Sequence, residues 1–381
     1  MFNSIKHIVG SKIINTLGWH TKRKILVIES DDWGSIRMPS IEILNILINK
    51  KLEFDYIFEK NDTLASYSDL ENLFEILNSV KDKNNKSSVI TANCVVTNPD
   101  FEKIKKSDFL EYHYELITET LTKYYPRTNP FNLWKQGIEN SIFFPQFHGR
   151  EHLNVQLWLK LLRKNISGVK EAFNHNVFSQ IMDIPNDNRT HVLSSYDYRD
   201  ESDQDFIKQS IKDGVNIFKN LFGYDSMSAI SPCYIWDDFI EKCYLNEGIK
   251  YIQGGVFQKY TTYQKKRLHK NGQYHYCGEK NKLGQNYLIR NCYFEPSHFS
   301  NIDVIDNCMC KIKNAFRWRK PAIISTHRLN YIGSLNKKNR DDNLLQLRQL
   351  LRQIVRHWPE VEFMTSNKLG DLIKDTYGRI S

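Results

Sequence analysis

The chain has no run of apolar residues approaching the roughly 18 that a membrane-spanning helix needs, which excludes a helical integral membrane protein. Its seven cysteines include no Cys-x-x-Cys pair. Cys94, Cys243 and Cys292 fall in apolar segments, so free buried thiols and a reducing cytoplasmic setting are expected rather than a disulfide framework. There is no internal repeat, low-complexity tract or Gly/Ser/Pro-rich linker to mark a domain boundary. A signal-peptide core is lacking too: the apolar start of the chain is broken by Lys6, His7, Ser11 and Lys12, so the mature protein is expected to begin near Met1.

The 381 residues are 40% hydrophobic and 25% charged, the proportions of an ordinary soluble globular protein with a sizeable core. The net charge of +9 is spread over short groups such as KKRLHK at 265–270 and KKNR at 337–340. Such dispersion reads as a solvated surface and argues against nucleic acid, while leaving an anionic substrate or membrane surface compatible. Phe2, Ile5, Ile8, Val9, Ile13 and Ile14 interleave with Lys6 and Lys12 as in a short amphipathic helix. Residues 1–23 are therefore expected to form an extension that docks on the fold, with peripheral contact to the inner membrane face as the alternative. Residues 24–381 are expected to form one domain.

Apolar, β-branched runs recur along that domain: KILVIES (24–30), SSVITANCVV (87–96), SIFFPQF (141–147), THVLSSY (190–196), SMSAISPCY (226–234), KYIQ (250–253), YLIRNCYF (287–294), PAIISTH (321–327) and VEFMT (361–365). Strands buried on both faces read this way. Helical patterns separate them, clearest at 343–358, where Leu344, Leu347, Leu351, Ile354 and Val355 share a face. The alternation predicts an α/β fold with a parallel sheet, and closure into a (β/α) barrel is preferred because polar groups follow several different strands.

Four local features could carry chemistry. In VIESDDWGS a strand ends in adjacent carboxylates, Asp31 and Asp32, followed by Trp33 and Gly34; both carboxylates reach one site only if the strand breaks into a turn, and the bland alternative is a solvated turn or helix cap. In FHGREHLN, His148 and His152 would share one face of a helical turn and could grip one metal ion, a spacing that 12 histidines also produce by chance. His327 ends the strand of AIISTHRLN, with Arg328 and Asn330 beside it. Pro232 and Tyr234 in AISPCYIW form a strand-end turn that would aim backbone N–H groups at a barrel mouth. Arg290, Glu295 and His298 are weaker candidates for reading polar substrate groups.

In this order the features resemble the polysaccharide deacetylase family, the NodB-homology carbohydrate esterases, over roughly residues 24–374. A strand-end Asp-Asp, a His-x-x-x-His, a Pro-x-Tyr turn and a strand-end His follow one another as in that family. The resemblance implies a distorted (β/α)7 barrel in which Asp32, His148 and His152 bind one divalent ion, zinc being the ion expected. It further implies Asp31 as general base, His327 as general acid, and a backbone N–H near Tyr234 at the oxyanion. Trp33 would stack on a sugar ring or else pack in the core, and Arg328, Asn330 and Glu295 complete the expected substrate contacts. The activity so implied is hydrolytic removal of acyl groups, N-acetyl foremost, from a saccharide or sugar conjugate of surface polysaccharide assembly. Three competing readings remain: a metal-independent glycoside hydrolase using, for example, Asp31 and Glu295, an inert carbohydrate-binding or scaffolding relic, and a nucleic-acid binder resting only on the dispersed positive charge. In two respects the chain departs from the family, since Ile230 stands where the family has an arginine and no Asp-Trp pair follows near Tyr251.

Overall fold

The computed structural model describes residues 16–184, 191–299 and 303–378. Seven parallel strands form its centre: β1 (Lys24–Trp33), β2 (Ile90–Cys94), β3 (Phe143–Phe147), β4 (Ser228–Ile230), β5 (Tyr251–Gly254), β6 (Asn286–Ile289, continued by Cys292–Tyr293) and β7 (Ala322–His327). The first half of β6 pairs with β5 and its second half with β7. The switch falls between two residues, because Arg290 N–H donates to the Gly254 carbonyl at 2.9 Å and Asn291 N–H to the Ile323 carbonyl at 3.1 Å. The ladder β6-β5-β4-β3-β2-β1-β7 thus returns to β6, and the chain itself completes the ring. An eighth strand, β8 (Val361–Met364), pairs with the start of β1.

The outward face of the strands is largely apolar and lies under helices such as Lys337–His357, whose Leu344, Leu347, Leu351 and Ile354 are buried as its periodicity requires. The inward face is polar near its upper end. Asn93 on β2 donates to Gln253 on β5 at 2.8 Å, Gln253 donates to Ser228 on β4 at 2.8 Å, and the Ser228 hydroxyl donates to Gln146 on β3 at 2.8 Å. The first of these bonds joins strands that are not neighbours and so crosses the barrel's interior. Such a buried network rigidifies the barrel only because its members are largely satisfied.

Two long excursions wall the barrel's C-terminal end. One runs from β1 to β2 through helices Ile41–Asn49, Tyr56–Asn61 and Tyr67–Asn78; the other runs from β3 to β4 through Val155–Arg163, Ser167–Phe173 and Gln204–Phe222. Met38, Leu44, Leu47, Ala172 and Val177 join the two in a small apolar cluster of their own.

Two sequence expectations differ from what is seen. Residues 191–196 form no strand; they run as loop, with the Val192 carbonyl accepting from Asn154 N–H at 2.6 Å, and 185–190 lie outside the described residues. His148 and His152 sit on an irregular loop, not a helical turn, since Gly149 between them takes φ 101°. Most of the expected amphipathic extension, residues 1–15, lies outside the described residues. Where the description begins, the chain does pack on the fold: Trp19 is buried, donates its N–H to the Cys277 carbonyl at 2.9 Å, and accepts from Lys320 at 3.0 Å. All seven cysteines are free. No described helix is long and apolar enough to cross a membrane.

Candidate active site

The site forms where β1, β3, β4, β6 and β7 end. β1 runs straight through the two aspartates, but its register with β2 slips between Ser30 and Trp33, and Asp32 takes a left-handed φ of 71°. That local inversion turns two successive side chains toward the same cavity, which a regular strand forbids. Gly34 follows at φ 85°, where a Cβ would meet the Val95 carbonyl oxygen at 2.6 Å, so only glycine lets the chain leave the strand here. Across the ladder, Asp31 is the register partner of His327.

Around Asp32 three donors converge. Its Oδ1 lies 3.3 Å from His148 Nε2 and 3.4 Å from His152 Nε2, and the three ligand atoms all fall within 4.8 Å of one another. His148 Nδ1 lies 2.9 Å from the Ile230 carbonyl, which can only accept, so Nδ1 carries a proton and Nε2 is the nitrogen turned toward Asp32. Burial pushes His152 down to about 3, against the opposing pull of Asp32, which favours the neutral ring. Asp32 is ionised: burial alone would raise its pKa, but His152, His148, His327 and Arg37 together hold it well below the usual carboxylate range. One carboxylate oxygen and two imidazole nitrogens, all buried, converge here as a compact ligand set. The donor set fits a divalent metal ion.

Asp31 belongs to a different network. Arg290, fully buried at the break in β6, grips it with Nη1 on Oδ2 at 2.5 Å and Nη2 on Oδ1 at 2.7 Å, while its Nε donates to Glu29 at 2.6 Å. Asn93 adds a donor to Asp31 Oδ1 at 2.8 Å. Burial works to raise the pKa of Asp31, and Arg290 outweighs it, so the group is held ionised and oriented. Glu29 shares the guanidinium less favourably and burial raises it.

His327 is fixed from behind. Its Nδ1 lies 2.7 Å from Glu295 Oε1, and Asn330 donates to Glu295 Oε2 at 2.8 Å. Burial would lower its pKa, but Glu295, Asp32 and Asp31 raise it to about 10, so an imidazolium faces the cavity.

The cavity, about 320 Å³, is lined by Asp31, Asp32, His148, His152, Tyr234 and His327 together with Arg37, Phe58 and Glu59 from the first excursion. Arg37 stacks over Phe58 at 4.3 Å and lies 3.5 Å from Glu59. Burial raises Glu59 to about 8 despite that guanidinium. A carboxyl group raised on folding lends stability that is complete below its unfolded pKa and disappears as pH rises through its folded one. The fold should therefore lose stability between about pH 5 and about pH 8 with a slope approaching about 1.4 kcal/mol per pH unit, the value for one proton, and Glu59→Gln should flatten that slope. Urea denaturation of both proteins across the range measures it; equal slopes contradict the assignment.

The structure brings together Asp31, Asp32, His148, His152, Tyr234 and His327 and separates three other expected contacts from them. Trp33 is 1% exposed and faces the helix layer, edge-on to Phe143 at 4.8 Å and Trp134 at 6.2 Å, so it offers no face to a sugar. Arg328 is fully buried on Asp62 at 2.8 Å, and the Asn330 side chain is spent on Glu295, Thr326 and the His327 carbonyl. Tyr234 lines the cavity, but its own N–H is committed to the Ser231 carbonyl at 3.0 Å and its hydroxyl accepts from Arg290 at 2.9 Å. Glu295 serves His327 and does not line the cavity, which leaves no Asp31/Glu295 pair of the glycosidase kind. Glu29, Arg37, Glu59 and Asn93 were not singled out from sequence, and Arg290 was read as a substrate contact when its partners are Asp31 and Glu29.

Fold and site define a class: an α/β barrel bearing an Asp/His/His donor set, a clamped aspartate and an imidazolium at its strand ends. No family model matches the chain, and no curated protein does. Solved structures similar in fold include a Mycobacterium smegmatis protein assigned as a polysaccharide deacetylase, with 8% identity and a TM-score of 0.44 over 95% of this chain and 94% of that one. Another, from Pseudomonas aeruginosa PAO1 and assigned likewise, has 10% identity and a TM-score of 0.41 over 92% and 91%. The 4-alpha-glucanotransferase of Thermococcus litoralis has 9% identity and a TM-score of 0.46 over 91% of this chain, which spans 40% of that enzyme's length. Similarities of this size do not bear on activity, which rests on the site's own geometry.

Proposed function

We propose that the protein is a metal-dependent hydrolase that removes acyl groups, N-acetyl foremost, from a saccharide or sugar conjugate. The observation that carries this reading is the meeting of two buried imidazoles on one carboxylate, with a second carboxylate and an imidazolium on either side. A site that only bound sugar would need neither a base nor an acid. The motif order along the sequence supports the same reading.

Asp32, His148 and His152 would hold the ion. Bound there it would supply Lewis acidity toward a water molecule and an acyl oxygen. Asp31, kept ionised and aimed by Arg290 and Asn93, accepts the proton that the attacking water gives up. His327, charged through Glu295, donates its proton to the nitrogen that leaves as an amine. One proton is taken and one given, and exchange with solvent restores both groups. In the family this chain resembles, an arginine aims the base from the position occupied here by Ile230. Here Arg290, from β6, makes that contact.

The proposal predicts about one divalent ion per chain, with zinc the expected ion. Metal analysis of His148→Ala and His152→Ala should show occupancy falling to near background in each. Occupancy unchanged in both would remove the site.

A further inference from the structure

Between β5 and β6 the chain makes a hairpin whose properties the catalytic reading does not use. Phe257–Lys259 pairs antiparallel with Gly272–Tyr274, Phe257 opposite Tyr274, and the helix Thr262–Leu268 lies across its tip. Residues 257–274 include Lys259, Lys265, Lys266, Arg267 and Lys270 and no aspartate or glutamate. Among the described residues none of these five cations has an ion-pair partner. The nearby carboxylates take hydroxyl donors instead, Glu201 from Tyr263 at 2.5 Å and Asp237 from Thr261 at 2.7 Å, while exposed Asp200 feels Lys266 only at longer range.

The same hairpin exposes apolar groups. Gln258 points inward and donates to the Trp236 carbonyl at 2.8 Å, which by strand alternation turns Phe257 and Lys259 outward. Tyr274 is 68% exposed, Leu268 40% and Phe257 36%. A merely solvated lysine-rich loop gains nothing by presenting them. Lysine and arginine next to aromatic and aliphatic side chains is instead the composition that suits the boundary between lipid headgroups and acyl chains. Nucleic acid fits less well, because stacking on bases needs open ring faces, and Phe257 and Tyr274 meet edge to face at 5.0 Å.

The hairpin's place gives the contact a use. It leaves the C-terminal end of β5, and the Lys259 carbonyl accepts from Trp236 N–H at 3.1 Å, two residues beyond cavity-lining Tyr234. We propose that this hairpin docks the protein on an anionic phospholipid surface with the cavity end of the barrel toward it. The contact is separate from the amphipathic pattern at the N-terminus and does not depend on the hydrolase reading, since its test requires no turnover.

The full-length protein is sedimented with vesicles of phosphatidylcholine alone and of phosphatidylcholine mixed equally with phosphatidylglycerol, at low and high salt. Binding is expected only to the anionic vesicles and is expected to be reversed by salt. Each cation near such a surface contributes about fivefold, so Lys265→Gln, Lys266→Gln, Arg267→Gln and Lys270→Gln combined should weaken binding by roughly 100-fold or more. Phe257→Ser with Tyr274→Ser should weaken binding without removing its salt dependence. Amide hydrogen exchange of the unmodified protein gives a readout free of folding effects, with vesicle-induced protection expected over 257–274. Absence of binding to anionic vesicles, or binding that persists in the fourfold variant with no protection of the hairpin, overturns the proposal, even if the protein proves to bind RNA.

Discussion

An Asp31→Asn protein is expected to retain its metal ion and to turn over roughly 10²–10⁴-fold more slowly than its parent, the usual worth of a positioned base. The amide keeps the side chain's size and still accepts from Asn93 or Arg290 through its one oxygen. Its NH2 must face a guanidinium N–H that formerly had an acceptor, so the substitution should also cost about 1–3 kcal/mol of stability. The ligands Asp32, His148 and His152 are separate side chains, so metal occupancy should stay at the parent's level. His327→Ala should lower turnover by a similar factor, again with the ion retained. Single-turnover kinetics with metal analysis on the same samples separates the two effects. An Asp31→Asn protein as active as its parent would refute the base assignment.

Removing the Arg290 guanidinium should have the largest effect on the fold. Arg290→Met leaves Glu29 and Asp31 buried without the cation between them, and stranding one side of such a pair typically costs about 3–5 kcal/mol. The loss should depend on pH. In the parent, Asp31 has a pKa below its unfolded value, so its contribution is present above the unfolded carboxylate pKa and fades as pH falls through the folded one. Without the arginine, burial raises both carboxyl groups, and their contribution is then lost as pH rises. The stability gap between parent and variant should be wide at neutral pH and narrow in acid. Arg290→Lys, which keeps the charge but not the two-pronged grip, should fall between them. Urea denaturation at acid and at neutral pH measures the gap, and a variant as stable as its parent at neutral pH would contradict the network.

What sequence could and could not reveal follows from the range of each interaction. Asp31, Asp32, His148, His152 and His327 were legible because each ends a strand or follows one closely, and parallel strands deliver their ends to one place. The clamp was not legible: Arg290 and Asp31 are 259 positions apart, and they meet because β6 changes partners at Arg290. There was a signal, however. Glu29 and Arg290 each interrupt an otherwise apolar strand, and two charges with nowhere to go in separate buried strands must find each other. Trp33 was misplaced for want of one backbone angle, since the inversion at Asp32 brings both aspartates to the cavity while the next side chain goes outward to Phe143 and Trp134. Arg328 and Asn330 flank His327 in sequence, but the chain coils into a tight turn at Arg328–Asn330 and buries both. The polar interior formed by Asn93, Gln146, Ser228 and Gln253 was hidden because a strand buried on two faces looks alike whether its inner face is oily or hydrogen-bonded.

The central claim, that these side chains form a metal-dependent deacylating centre, is tested most directly by acyl release. Metal-loaded protein and the same protein stripped with chelator are incubated with a panel of N-acylated and O-acylated saccharides and sugar nucleotides, and free carboxylic acid is quantified. The account predicts release from at least one N-acetylated member by the loaded protein, its loss on stripping, and its return when zinc or another divalent ion is restored. A folded protein carrying its ion that frees no acid from any member of the panel, or one whose activity is indifferent to the chelator, would contradict it.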